Sequence, residues 1–239
     1  MAKHTLYYEL RDAFDASGCA ICHLTHKAVA RYLESLVYEN ANDYRIRAEA
    51  KAARGFCNLH AWQLRDYHGA ALDVAILSND VLTEWERALD HFAPQQATPP
   101  GDRLRAFFGL SPRQGDANAL AESLSPHRPC LACSVRAETE DAYIHELLAH
   151  LADPELQAAF IAAGGLCLTH FRQTLRCVAT STQAEQLVGL QRQALAPLIA
   201  ELREFIRKHD YRFEAERTAS EGESWLKALE LISGRPGTR

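Results

Sequence analysis

Seven cysteines stand in this 239-residue chain, and six of them have spacings that suit metal coordination. Cys19-Ala-Ile-Cys22 is followed by Gly55-Phe-Cys57-Asn-Leu-His60, and Cys130-Leu-Ala-Cys133 by Gly165-Leu-Cys167-Leu-Thr-His170. Two cysteines three apart on one turn bring their sulfurs together, and a Cys-x-x-His pair does the same for a sulfur and an imidazole. Each copy thus offers two two-ligand hooks that can close on one tetrahedral ion. The expected sets are Cys19, Cys22, Cys57 and His60 in the first copy, and Cys130, Cys133, Cys167 and His170 in the second. Three thiolates and an imidazole suit zinc, two ions per chain, and leave no open coordination position, as in structural sites. An iron-sulfur cluster held by the same ligands is the redox alternative, since spacing alone does not separate the two. Disulfides are disfavoured because the N-terminus has no apolar export signal and both copies place His at the fourth position.

The elements that must position these hooks repeat with them. The first and third Cys are 38 residues apart in one copy and 37 in the other, and Asp43 matches Asp153, each 14 residues before its third Cys. Ala48, Ala52, Ala53 and Gly55 match Ala158, Ala162, Ala163 and Gly165 in the same frame. Each copy reads as three helices. Helix one carries apolar positions at helical spacing after the Cys pair (Leu24, Ala28, Leu33, Leu36, Val37; then Val135, Tyr143, Ile144, Leu147, Leu148). Helix two starts at the caps Asn42-Asp43 and Asp153-Pro154 and stops at Gly55 and Gly164-Gly165. Helix three starts at each Cys-x-x-His and runs over residues 58–92 and 168–208, with bends expected at Gly69 and Pro197. Hooks at helix N-termini meet unpaired N–H groups and the positive end of the dipole, which favour thiolate.

Residues 93–129 contain six of the nine prolines and read as a linker, with short helices over 103–110 and 117–124 and an apolar pair, Phe107-Phe108, that packs on the bundle or meets a partner. The expected organisation is a first repeat over 1–92, the linker over 93–129, a second repeat over 130–213, and a tail over 214–239 with one docking helix around Trp225 to Ile232. No strand alternation persists, so the class is all-α, two homologous three-helix units packed as a helical bundle.

Other polar residues invite blander readings. His23 and His26 read as helix-surface residues. His145 and His150 share a helix with Glu138, Glu140 and Asp141 but lack the paired Glu-x-x-His of di-iron bundles. Cys177 reads as a buried small hydrophobe. Glu34, Glu39, Arg45 and Arg47 read as a solvated charged face. Lys208, His209, Asp210 and Arg212 are the densest polar cluster outside the hooks. They form a solvated helix end or, alternatively, an anion, partner or enzymatic site in which Asp210 fixes the His209 tautomer.

Composition narrows the class. Lys plus Arg number 26 against 31 Asp plus Glu, a formal net charge of −5 with the signs interspersed, so no nucleic-acid footprint is expected. No apolar run is long enough to span a bilayer. A cytoplasmic protein with a protein partner or self-association is the expectation.

With these residues laid out, the chain resembles an uncharacterised bacterial family, the DUF6062 type of domain of unknown function. The resemblance is nearly full-length. It rests on the four hooks, on Tyr32-Leu33-Glu34-Ser35-Leu36 with Glu39, Asn42-Asp43 and Arg47, on Lys208 through Phe213, and on the tail from Ser224-Trp225 to Gly234. It implies a helical protein with two metal sites and supplies no substrate. The Cys pairs enclose Ala20-Ile21 and Leu131-Ala132, where such knuckles commonly carry a proline.

Overall fold

The computed structural model describes residues 3–16, 18–40, 43–90, 115–213, 216 and 220–237. Among them every regular element is helical: α1 (Thr5–Phe14), α2 (Ala20–Ser35), α3 (Tyr44–Ala52), α4 (Asn58–Arg65), α5 (Ala70–Asp90), α6 (Gly115–Leu124), α7 (Leu131–Ala149), α8 (Pro154–Ala162), α9 (Leu168–Cys177), α10 (Ser181–Lys208) and α11 (Ser224–Ser233). A wide π turn over Leu36–Asn40 extends α2. The expected helix over 103–110 and the Phe107-Phe108 pair lie outside the described residues, as do Asn42 and the Glu39 side chain.

Helix two of each copy forms as its sequence requires. Asp43 accepts hydrogen bonds from the Arg45 and Ile46 amides, and Asp153 from those of Glu155 and Leu156, with Pro154 opening the helix. Both helices close on a Schellman turn, in which the Gly55 amide reaches the Ala50 carbonyl (2.8 Å) and the Gly165 amide the Phe160 carbonyl (3.0 Å). The left-handed residue before each is Gly164 (φ +86°) in one copy and Arg54 (φ +55°) in the other.

Helix three is two helices in each copy. In the first, α4 and α5 are separated at Asp66–Gly69, with Gly69 at φ +82°, the expected breaking point. In the second, the break falls at Val178–Thr180 instead of at Pro197. Val178 is extended, Thr180 caps α10 by accepting from the Gln183 amide, and α10 runs on through Pro197. A Thr cap three residues after a helix end starts a new helix, whereas one proline removes a single bond from a 28-residue helix.

The chain divides into two compact units, and these are not the two repeats. One unit comprises residues 1–31 and 135–239, the other residues 32–134. The division falls inside α2 and α7, so each unit takes its Cys-x-x-Cys hook from one copy and its Cys-x-x-His hook from the other.

In the first unit, α1 presents Tyr7, Leu10 and Phe14 at i, i+3 and i+7 and buries them with Ile21, Ile144, Leu147, Leu156, Phe160 and Leu187. Phe14 stacks obliquely on Phe160 (5.5 Å between centroids), while Arg11 and Lys3 reach Glu155 and Asp153 on α8. Helix α10 packs on α8 and α11. The second unit packs α5 against α3, α4 and α6 and is pinned by a bidentate pair from Arg47 to Asp80 at 2.7 and 2.8 Å. The leading helices α1 and α6 each end a few residues before a Cys pair, at Phe14 and Leu124, so the structural repeat has one more helix at its start than periodicity suggests.

Candidate metal centres

All eight hook residues lie in two tight groups, but the pairing crosses the copies. One group is Cys19, Cys22, Cys167 and His170, and the other is Cys57, His60, Cys130 and Cys133; within each, one ligand atom per residue lies within 4.8 Å of the others. The within-copy pairing suggested by spacing is therefore corrected. The two hooks of each copy fall in different compact units, because the division passes through α2 and α7.

The first centre belongs to the first unit. Cys22 and Cys167 sulfurs are 3.7 Å apart, and His170 Nδ1 stands 3.4, 3.3 and 3.3 Å from the sulfurs of Cys19, Cys22 and Cys167. The four residues are 8, 1, 0 and 3% exposed in chain order. The outer nitrogen of His170 faces Glu140 Oε1 at 3.4 Å, and Gln173 donates to the other Glu140 oxygen at 3.1 Å. That partner fixes the ring so that Nδ1 points at the sulfurs, the usual way a protein orients an imidazole ligand. Arg136, one turn before Glu140, completes the charge chain at 3.6 Å.

The second centre belongs to the second unit and has nearly the same geometry. Cys57 and Cys133 sulfurs are 3.7 Å apart, and His60 Nδ1 lies 3.2, 3.6 and 3.4 Å from Cys57, Cys130 and Cys133. His60 and Cys130 are buried, whereas Cys57 and Cys133 are partly exposed.

Local sequence places each hook on a helix start. Cys57 and Cys167 occupy the N-cap of α4 and α9 with extended backbone, and Cys19 and Cys130 immediately precede α2 and α7. Two helix N-termini therefore converge on each centre, bringing positive dipole ends to a set whose three thiolates and one dication would carry about −1. In the metal-free chain, burial pushes the Cys19 thiol well up, and burial also pushes Cys133 up to about 12. Hydrogen bonds from Cys19 and Cys22 hold Cys167 far below the ordinary thiol range. Burial works against a charged His170, but its contacts with Cys167, Cys22 and Glu140 outweigh that and raise it to about 11. These directions favour a Cys167 thiolate beside a protonated His170, whose proton a metal ion would displace.

Two supporting residues escaped the sequence reading. Glu140 is one acid among four on its helix, and only the tertiary structure selects it. Gln191, 5% exposed on α10, accepts from the Leu166 amide and donates to its carbonyl, both at 3.0 Å, clamping the residue before Cys167. Gly165 suits this position because its φ is +82°, and a Cβ there would stand 2.6 Å from Gln191 Oε1 and push the clamp aside. In the repeat frame Gln191 corresponds to Val81, and a Cβ on Gly55 would meet only Val81, at an ordinary 4.0 Å.

The remaining candidates do not gather into a site. Asp210 pairs with the Arg212 guanidinium (2.7 Å) instead of His209, whose Nδ1 meets the Phe205 carbonyl at 2.8 Å. Lys208 turns to Glu221 at 2.8 Å. The cations of this cluster are thus engaged by the chain's own carboxylates. His26 and His145 are exposed, His23 is partly exposed beside Arg235, and His150 is buried against Glu146 at 3.2 Å. Cys177 is partly buried against the first unit's core, not fully enclosed. Arg47 of the charged face is the Asp80 partner already described. No helix among the described residues is long and apolar enough to cross a membrane.

A family model described as a family of unknown function, DUF6062, matches residues 1–237. The chain is similar to a curated relative named as an uncharacterized 23.9 kDa protein in the xynA 3' region of Caldicellulosiruptor sp. (strain Rt8B.4), with 24% identity over 223 residues, covering 92% of this chain and 97% of the relative. No solved structure matches it.

Proposed function

Since the chain belongs to the DUF6062 family, a family of unknown function, we propose from the centres themselves that it is a zinc protein with two structural Cys3His sites, acting as a helical scaffold or interaction module. The observation that carries this reading is the spacing of the ligand atoms. A tetrahedral zinc with sulfur at about 2.3 Å and nitrogen at about 2.05 Å has edges of about 3.8 Å between sulfurs and about 3.6 Å between sulfur and nitrogen. One sulfur pair in each centre stands at 3.7 Å, and the sulfur–nitrogen edges at 3.2–3.6 Å. Four atoms within 4.8 Å suit one shared ion better than a cluster, whose several irons hold their terminal ligands farther apart. Four protein ligands leave no position for water or substrate, which supports a structural role over Lewis-acid catalysis.

A scaffold needs a face for a partner. Helix α11 exposes Trp225, Leu226, Leu229 and Ile232, each 46–61% accessible, and apolar side chains grouped on one short helix suit a protein contact or self-association. Cysteines kept as thiols suit a reducing compartment such as the cytoplasm.

Protein purified without chelator should contain two zinc ions per chain and negligible iron or sulfide by element analysis. Stoichiometric iron with labile sulfide would replace this reading with the redox one. Metal removal should also unfold much of the helix, because ligand binding and folding are linked in such sites.

A further inference from the structure

Resting on the zinc reading above, we infer that the Cys57–Cys133 edge of the second centre is a peroxide-sensitive modification site. A two-electron oxidation joins these sulfurs as a disulfide and releases the ion, while the first centre keeps its own. The two centres share a ligand set, and each has a thiol pair 3.7 Å apart. Their access differs. Cys22 and Cys167 are 1% and 0% exposed, whereas Cys57 and Cys133 are both partly open. A hydroperoxide must reach a sulfur in line with its O–O bond, so exposure selects the second centre.

A second difference points the same way. Closing a disulfide draws sulfurs from 3.7 Å to about 2.05 Å, and one hook must give. The first centre's hook is held by the two Gln191 bonds to Leu166. At the matching position the second unit has Val81, which supplies no such polar clamp.

The chemistry balances with peroxide as oxidant. One thiolate attacks a peroxide oxygen, giving a sulfenic acid and hydroxide. The neighbouring thiolate then attacks that sulfur, the S–S bond forms, and a second hydroxide leaves. Two electrons pass from the sulfurs to the O–O bond, and solvent protonates both hydroxides. Cys130 and His60 are left as two donors, too few to retain zinc.

The test uses the full-length protein loaded with two zinc ions and treated with hydrogen peroxide. Released zinc is followed with a chromogenic chelator, and disulfides are mapped by mass spectrometry. One equivalent should leave at least about tenfold faster than the other, together with a Cys57–Cys133 disulfide, and a dithiol reductant with added zinc should restore it. Cys19, Cys22 and Cys167 should remain thiols at that stage. Equal release rates, a Cys22–Cys167 disulfide appearing first, or no release would overturn the inference while leaving the zinc reading intact. Protein that arrives with iron, or without metal, would instead remove the reading on which it rests. Cys57→Ala, if it folds, should abolish the fast phase, and the wild-type mapping decides the matter if it does not.

Discussion

The two centres differ in what surrounds the same four ligands. In the first unit the ligands are enclosed, the imidazole is held by Glu140, and the loop before Cys167 is clamped by Gln191. In the second unit two thiols are partly open and the clamp position is Val81. The two centres thus share their coordinating atoms and differ in access and in the residue at the clamp position. Rigidity and access at a metal site are set by its neighbours, so equivalent ligand sets need not have equivalent lability.

The largest expected effect concerns the crossed pairing. Cys19→Ser with Cys167→Ser should remove one zinc, because both changes strike one centre, whereas Cys19→Ser with Cys57→Ser should remove both. Metal counts in the reverse order would restore the within-copy pairing. Acidity should next separate the ion from the first centre. Zinc must displace protons from Cys19 and from His170, both raised in the metal-free chain. Its apparent affinity there should therefore fall as pH falls, by about tenfold per unit for each proton displaced. Competition titrations with a chelator between pH 6 and 8 measure that slope, and a flat profile would refute the assigned protonation.

Smaller changes probe the supports. Gln191→Ala strips two bonds from the fully buried Leu166 backbone and should cost about 2–4 kcal/mol in a denaturant titration. Glu140→Ala should weaken zinc at the first centre about 10- to 100-fold while leaving the second unchanged. Equal weakening of both would show that Glu140 acts through the fold and not through His170. Gly164→Ala, at φ +86° with nothing within 4 Å of its Cβ, should cost about 1 kcal/mol from backbone strain alone. Arg54 already occupies the matching left-handed position at φ +55° and reaches the Ser123 carbonyl. Arg54→Gly should therefore shift the melting curve far less, because relief of strain is offset by the lost hydrogen bond.

Much of the local structure was legible in the residues. Asp43, Asp153 and Pro154 announced helix two, Gly55 and Gly164-Gly165 its end, and Gly69 a break, because caps and left-handed turns depend on a few adjacent side chains. The Thr180 cap is equally local, since its hydroxyl accepts from the Gln183 amide. Helix α1 lies outside the three-helix pattern of the repeat, and its burial with Ile144 and Phe160 depends on contacts over more than a hundred positions. The Lys208–Arg212 cluster misled for a related reason. Nothing local indicates that Glu221 meets Lys208 or that Asp210 faces Arg212 instead of His209.

The eight ligands, their types and their placement at helix starts were determined by the sequence, because a Cys-x-x-Cys or Cys-x-x-His hook is complete within one turn. Which hooks share an ion was decided only by the tertiary structure. The sulfurs that meet are 145 residues apart in one centre and 76 in the other, and pairing over such separations is set by the packing of whole helices, which leaves no mark at the cysteines themselves.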